Sequence, residues 1–128
     1  MYQLMIVDDS NVIRNRIERS SKQIQMQVAA TAANGEDAIE LYQKHRPHFV
    51  TMDLTMPLMD GLECIQKLKA IDPNVNILVV SAISDRKTGL RALQYGARGF
   101  IYKPFTDDQL ISALCKLAEH YRQHHKPA

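Results

Sequence analysis

Five short apolar runs, each giving way to a polar group, alternate along this chain with segments of helical spacing. The runs are Leu4–Val7, Val28–Ala33, Phe49–Met52, Ile77–Val80 and Phe100–Tyr102. Apolar side chains recur at helical intervals between and after them: Val12, Ile13 and Ile17; Ala38, Leu41 and Tyr42; Leu62, Ile65 and Leu68; Leu90 and Leu93; then Leu110, Leu114, Leu117 and Tyr121. Turn formers fall at the joints, namely Asn34-Gly35, Asp60-Gly61, Asp72-Pro73 and Gly96, and Ser10, Ser84 and Thr106 stand where helices should begin. Strands apolar on both faces are parallel strands covered by helices on each side. Short connections then require right-handed crossovers, which predicts a three-layer, doubly wound α/β fold with a five-stranded parallel sheet.

Size and composition narrow the options. A chain of 128 residues, 45% of them hydrophobic, suffices for one domain with its own core. Residues 1–122 are expected to form that domain and the polar residues 123–128 a flexible tail. No apolar stretch is long enough to span a bilayer, and MYQLMIVDD turns acidic too early for a secretion signal, so a cytoplasmic location without membrane attachment is expected. Cys64 and Cys115 have no Cys or His partner at metal spacing and read as buried free thiols. Residues 1–81 carry eight Lys/Arg against ten Asp/Glu, and residues 82–128 carry eight against four. That basic excess is too small and scattered for nucleic-acid binding, though it suits an acidic partner of the C-terminal third.

The chemistry sits where the runs end. Asp8 and Asp9 follow the first run, Asp53 the third, Ser81 the fourth, and Lys103-Pro104 the fifth. In parallel strands these groups reach one edge of the sheet. With strand order 2-1-3-4-5 the winding reverses between the first and third strands, and ligands bind outside the carboxyl ends at that reversal. Three carboxylates there repel: two unit charges about 4 Å apart cost roughly 4 kcal/mol at an effective dielectric of 20. Either one keeps a proton or a hard cation neutralises the group, and oxygen donors without His or Cys select Mg²⁺ or a similar ion. Asp9 as a helix cap and Asp53 as a strand end would be the plainer reading of either residue alone. Their company with Ser81 and Lys103 argues against it.

Four segments, MIVDDSNVIR, VTMDLTMPLMDGLE, ILVVSAIS and GARGFIYKPF, resemble the receiver domain of bacterial two-component response regulators. The resemblance runs from about Gln3 to Tyr121 with its motifs in order, and it is nearest to stand-alone chemotaxis-type receivers. It implies the flavodoxin-like order 2-1-3-4-5. It also implies that Asp53 accepts a phosphoryl group from a sensor histidine kinase, a phosphotransfer protein or a small-molecule donor. Mg²⁺ would be held by Asp8, Asp9, Asp53 and the backbone carbonyl of Thr55, while Lys103 neutralises the phosphoryl oxygens. Ser81 would bond the phosphoryl group once present, with Phe100 turning inward behind it, and the Lys103–Pro104 peptide bond would be cis. Output would pass through the fourth helix, fifth strand and fifth helix, roughly Asp85 to Tyr121, and a phosphatase is a further possible partner. Gly89, inside the fourth helix, is expected to keep that helix mobile.

Two departures from the chemotaxis pattern stand out. Phe100 lacks the tyrosine hydroxyl found there. Thr55 and Ile83, which flank the route of hydrolytic water, replace longer polar side chains, so slow self-dephosphorylation is expected. Such a chain acts as a phosphorylation-controlled switch rather than a classical enzyme. The alternative is a phosphotransfer intermediate or phosphate sink without its own output target. An aspartyl-nucleophile hydrolase lacks its second acid, since Thr55 stands two residues after Asp53, and the acidic DDSN loop would repel an FMN phosphate. Arg14, Arg16, Arg19 and Lys22 read as a solvated face with a possible kinase-docking role. Met52, Met56 and Met59 read as packing around the phosphoacceptor loop, and Tyr102 as a partner contact or part of a covered edge. His120, His124 and His125 read as a solvated tail in which no thiol or acid completes a Zn²⁺ site.

Overall fold

The computed structural model describes residues 1–83 and 85–124. Among these, five strands alternate with five helices: β1 Tyr2–Val7, α1 Asn11–Gln23, β2 Met26–Ala32, α2 Gly35–His45, β3 Phe49–Met52, α3 Gly61–Ile71, β4 Asn76–Ser81, α4 Arg86–Gln94, β5 Gly99–Tyr102 and α5 Asp107–His124. The strands form one sheet in the order β2-β1-β3-β4-β5, parallel throughout. This is the doubly wound, flavodoxin-like architecture the sequence predicts.

Burial follows position in the sheet. β3 and β4 are buried along their whole length, as is β1 from Leu4 onward. The edge strands are not: β2 is buried only at Met26 and Ala32, and β5 is half-buried at best. Two apolar cores flank the sheet. One gathers Met5, Val7, Val50, Met52, Ile77 and Val79 under Ala38, Tyr42, Cys64, Ile65, Leu68 and Ala92. The other gathers Leu4, Ile6, Phe49, Leu78 and Val80 under Ile17, Leu110, Leu114 and Leu117. Alternate residues of one strand thus feed opposite cores, as period-2 side chains must.

Local chemistry starts the helices. Ser10 Oγ accepts from Ile13 N–H, Asn34 Oδ1 from Asp37 N–H and Asp60 Oδ1 from Glu63 N–H. Thr106 and Gln109 cap α5 reciprocally, each side chain accepting from the other's backbone N–H. At α4 the cap is Asp85, whose carboxylate accepts from Lys87 N–H; Ser84, the expected cap, lies outside the described residues. Gly96 leaves α4 at φ +114°, a conformation that costs glycine little.

Several expectations are corrected. Val12, Leu90 and Leu93 are exposed rather than core, at 74%, 56% and 46%. The buried face of α4 consists of Gly89 and Ala92 instead. Cys64 is buried, and its thiol pKa is pushed up to about 12 by desolvation, but Cys115 is exposed. The last helix continues through Gln123 and His124, two residues past the expected domain boundary at residue 122. His125 and the rest of that segment lie outside the described residues.

Candidate phosphoryl and metal site

β1 and β3 are hydrogen-bonded neighbours, and their carboxyl ends carry the acids. The pairing continues one residue beyond the strands, since Asp53 N–H donates to Val7 O at 2.9 Å and Asp8 N–H to Ala32 O at 2.9 Å. Asp8 and Asp53 are therefore fixed by backbone at the crevice where the winding reverses. Asp8 is 1% exposed and Asp53 is 4% exposed, while Asp9 faces solvent. One carboxylate oxygen from each of Asp8, Asp9 and Asp53 lies within 4.8 Å of the others.

The acids are held in place from several sides. Asp8 Oδ1 accepts from Ser10 N–H at 2.9 Å, and Arg14 Nη1 donates to the Asp8 carbonyl at 2.5 Å. Asp53 Oδ1 accepts from Thr55 N–H at 3.4 Å. Arg14 thus reaches back to the site, a contact that a reading of α1 as a solvated face missed. Its position six residues after Asp8, one turn into the following helix, was the available signal.

Lys103 arrives from β5. Its Nζ lies 2.8 Å from Asp8 Oδ2 and 3.6 Å from Asp53 Oδ2. Lys103 N–H donates to Ser81 O, tying the lysine to the end of β4, and the following Lys103–Pro104 peptide bond is cis. Ser81 is fully buried, and its Oγ accepts from Ile83 N–H at 3.2 Å. That bond places the hydroxyl and the Ile83 backbone together at the mouth, where Thr55 is exposed and Ile83 half-buried.

Electrostatics mark Asp53 as the unusual acid. Its pKa is raised from 3.8 to about 6, first by burial and then by the charge of Asp8, with Lys103 opposing. Asp8 Oδ2 is buried with no well-directed hydrogen bond, its ammonium contact apart. An all-oxygen donor set containing an underused buried oxygen fits a hard divalent cation such as Mg²⁺.

Two further features adjoin the site. Gly61 packs so tightly that a Cβ there would stand 2.3 Å from the Asp53 carbonyl oxygen and 2.6 Å from Leu54 Cα. Phe100 is half-buried, its ring 4.8 Å from that of Tyr102 and facing Gly89. Beyond them a groove of about 1010 Å³ opens along β5 between α4 and α5, lined among others by Leu93, Phe100, Tyr102, Ala113, Lys116 and His120. Tyr102 is 47% exposed at its rim, which answers the question of a covered edge.

Comparison with known proteins agrees. A family model described as the response regulator receiver domain matches residues 4–115. The chemotaxis protein CheY of Listeria monocytogenes is 39% identical over 93% of this chain and all of its own length. That of Thermotoga maritima is 37% identical over 91% of this chain and 97% of its own. Among solved structures, a CheX–CheY–BeF₃–Mg²⁺ complex from Borrelia burgdorferi contains a chain with TM-score 0.89 and 28% identity, covering 91% of this chain and 89% of that one. A sheet ordered 2-1-3-4-5 with an acidic crevice at its switch point, together with these matches, places the chain in the response regulator receiver domain family of two-component signalling, similar to the single-domain chemotaxis regulators.

Proposed function

We propose that Asp53 is the phosphoacceptor of this receiver. The observation that carries the reading is the placement of Asp53, almost fully buried at the end of β3, between two further carboxylates and the Lys103 ammonium. An oxygen of Asp53 attacks the phosphorus of a phosphohistidine or small phosphodonor. The P–N or P–O bond to the leaving group breaks as the acyl phosphate forms, and the pair in that bond leaves with the imidazole or acid. Phosphoryl transfer asks mainly for positioning and charge neutralisation. Lys103, 3.6 Å from Asp53 Oδ2, supplies one positive charge already in place.

Asp8, Asp9, Asp53 and the Thr55 carbonyl would hold Mg²⁺, which when bound neutralises the carboxylates and the incoming phosphoryl oxygens. The Ser81 hydroxyl, 3.2 Å from Ile83 N–H, exchanges that bond for one to the phosphoryl oxygens. Because Ile83 and Ser81 share one loop, the exchange moves the chain leading into α4. Phe100, packed against Gly89 of α4, follows into the space behind.

The output is a protein contact on α4, β5 and α5, where exposed Leu93 and Tyr102 line the groove and Leu90 of α4 is exposed as well. The chain acts as a switch and not as a classical enzyme, within the cytoplasm. No described helix is long and apolar enough to cross a membrane. Its inputs are a sensor histidine kinase or phosphotransfer protein, and a phosphatase sets how long the signal lasts.

Capture from native extract tests this reading, using tagged protein with Mg²⁺, with and without beryllofluoride, beside an Asp53→Asn control. A partner retained only by wild type with the phosphoryl mimic supports the switch. Retention of kinase or phosphotransfer protein alone, whatever the mimic, points to a relay or phosphate sink and overturns it.

A further inference from the structure

α5 continues as regular helix through His124, and this brings two imidazoles together outside the acidic site. His120 and His124 stand one turn apart, their ring centroids 4.1 Å from each other and their planes inclined by 33°. His120 is half-buried and His124 exposed. A second contact bears on what the pair can do. His124 Nδ1 lies 2.8 Å from the His120 carbonyl oxygen. A carbonyl only accepts, so Nδ1 carries the proton, and the Nε2 of a neutral His124 keeps its lone pair for another partner. Histidines that ligate metals are held in this way, with one ring N–H donated to a carbonyl or carboxylate and the other nitrogen turned to the ion.

We infer that His120 and His124 form a two-imidazole binding site for a borderline divalent transition ion such as Ni²⁺ or Cu²⁺, which accepts nitrogen and water without the thiolate or carboxylate that a Zn²⁺ site here would lack. Residues i and i+4 share one helix face, and the two rings already lie side by side there. Imidazole nitrogen and water oxygen together make the mixed N,O donor set that Ni²⁺ and Cu²⁺ accept. Neutral imidazole suits these ions far better than Mg²⁺, which prefers oxygen. The same chain therefore carries two cation sites of opposite preference: hard at the carboxylates, borderline at the end of α5. His120 also lines the groove beside β5, so an ion held there adds positive charge next to Lys116 at the rim of the output face. That charge favours an acidic partner.

Titration with Ni²⁺ in excess Mg²⁺ tests the site, because Mg²⁺ keeps the carboxylates occupied. Wild type and Asp53→Asn should each bind one Ni²⁺ per chain with equal affinity. His120→Gln and His124→Gln should each weaken binding by at least the roughly 10–100-fold typical of losing even an outer-sphere partner. Far-UV circular dichroism confirms that both variants stay folded. Affinity unchanged in either histidine variant, or Ni²⁺ displaced by rising Mg²⁺, overturns the inference.

Discussion

The Lys103 ammonium lies 2.8 Å from Asp8 Oδ2, an acid three strands away in the sheet, with side chains 17% and 2% exposed. It sits closer to this metal-side acid than to Asp53, at 3.6 Å. A cation held by Asp8, as proposed, would therefore compete with the lysine for one oxygen. On the proposed function, Mg²⁺ held by Asp8 would leave the ammonium free for the phosphoryl group.

Replacing Lys103 by Met separates these two roles. Mg²⁺ affinity should rise, because a competing positive charge is gone. The initial rate of phosphorylation by a small phosphodonor should fall on the order of 10²–10³-fold, the usual cost of removing a preorganised charge-stabilising group. Mg²⁺ titration and single-turnover phosphorylation measure the two, and weaker Mg²⁺ binding in the variant contradicts the competition.

Asp53 makes the metal-free protein pH-sensitive. With its pKa raised from 3.8 to about 6, the folded chain binds more protons than the unfolded chain between those values. Stability therefore falls as pH rises through that window, and the full penalty is present above it. Asp53→Asn should stabilise the metal-free protein by about 1–3 kcal/mol at pH 7 and by little near pH 4. Urea unfolding in the presence of a chelator checks this, and saturating Mg²⁺ should remove the advantage.

Two glycines respond oppositely to alanine. At Gly61 the new methyl meets backbone at 2.3 and 2.6 Å, so Gly61→Ala should destabilise by at least about 1–3 kcal/mol and disturb Asp53. At Gly89 the nearest atom is Phe100 Cε2 at 3.6 Å, an ordinary contact. Gly89→Ala should therefore stabilise by about 0.5–1 kcal/mol through helix propensity. It should also shift the switching equilibrium, read as an altered affinity for beryllofluoride. Thermal unfolding of both variants tests the pair.

On the proposed function, Ile83 and Thr55 would set the rate at which the acyl phosphate decays by itself. Ile83 presents an apolar side chain one residue-pair from Ser81, and Thr55 N–H already engages Asp53. Neither offers the long polar group that would position attacking water. Ile83→Glu with Thr55→Asn should speed loss of phosphate about tenfold, short of the 10²–10⁴ of a fully positioned base. Unchanged decay of the phosphorylated form after donor removal would refute it.

The sheet and its acidic edge were legible because a central parallel strand is a short apolar run that must end at the ligand face. Asp8, Asp53, Ser81 and Lys103 each follow such a run. The helix faces were less legible. α4 packs through Gly89 and Ala92, residues too small to stand out from the exposed Leu90 and Leu93 beside them. Val12 follows the cap of α1 but faces solvent, and Cys115 lies just off the Leu110–Leu114–Leu117 stripe. Long-range polar pairing was invisible. The Tyr42 hydroxyl donates to Asp72 at 2.7 Å, joining a core aromatic to what read only as a turn residue. Gln123 and His124 read as tail because both are polar, yet α5 runs through them, and a basic group such as His124 suits a helix C-terminus.

Intact-mass spectrometry after incubation with Mg²⁺ and a small-molecule phosphodonor tests the central claim most directly. Wild type should gain one phosphoryl group, labile to hydroxylamine as an acyl phosphate is. Asp53→Asn should gain none, and wild type with chelator none. A phosphoryl group retained in Asp53→Asn, or absent from wild type with Mg²⁺, contradicts the assignment of Asp53.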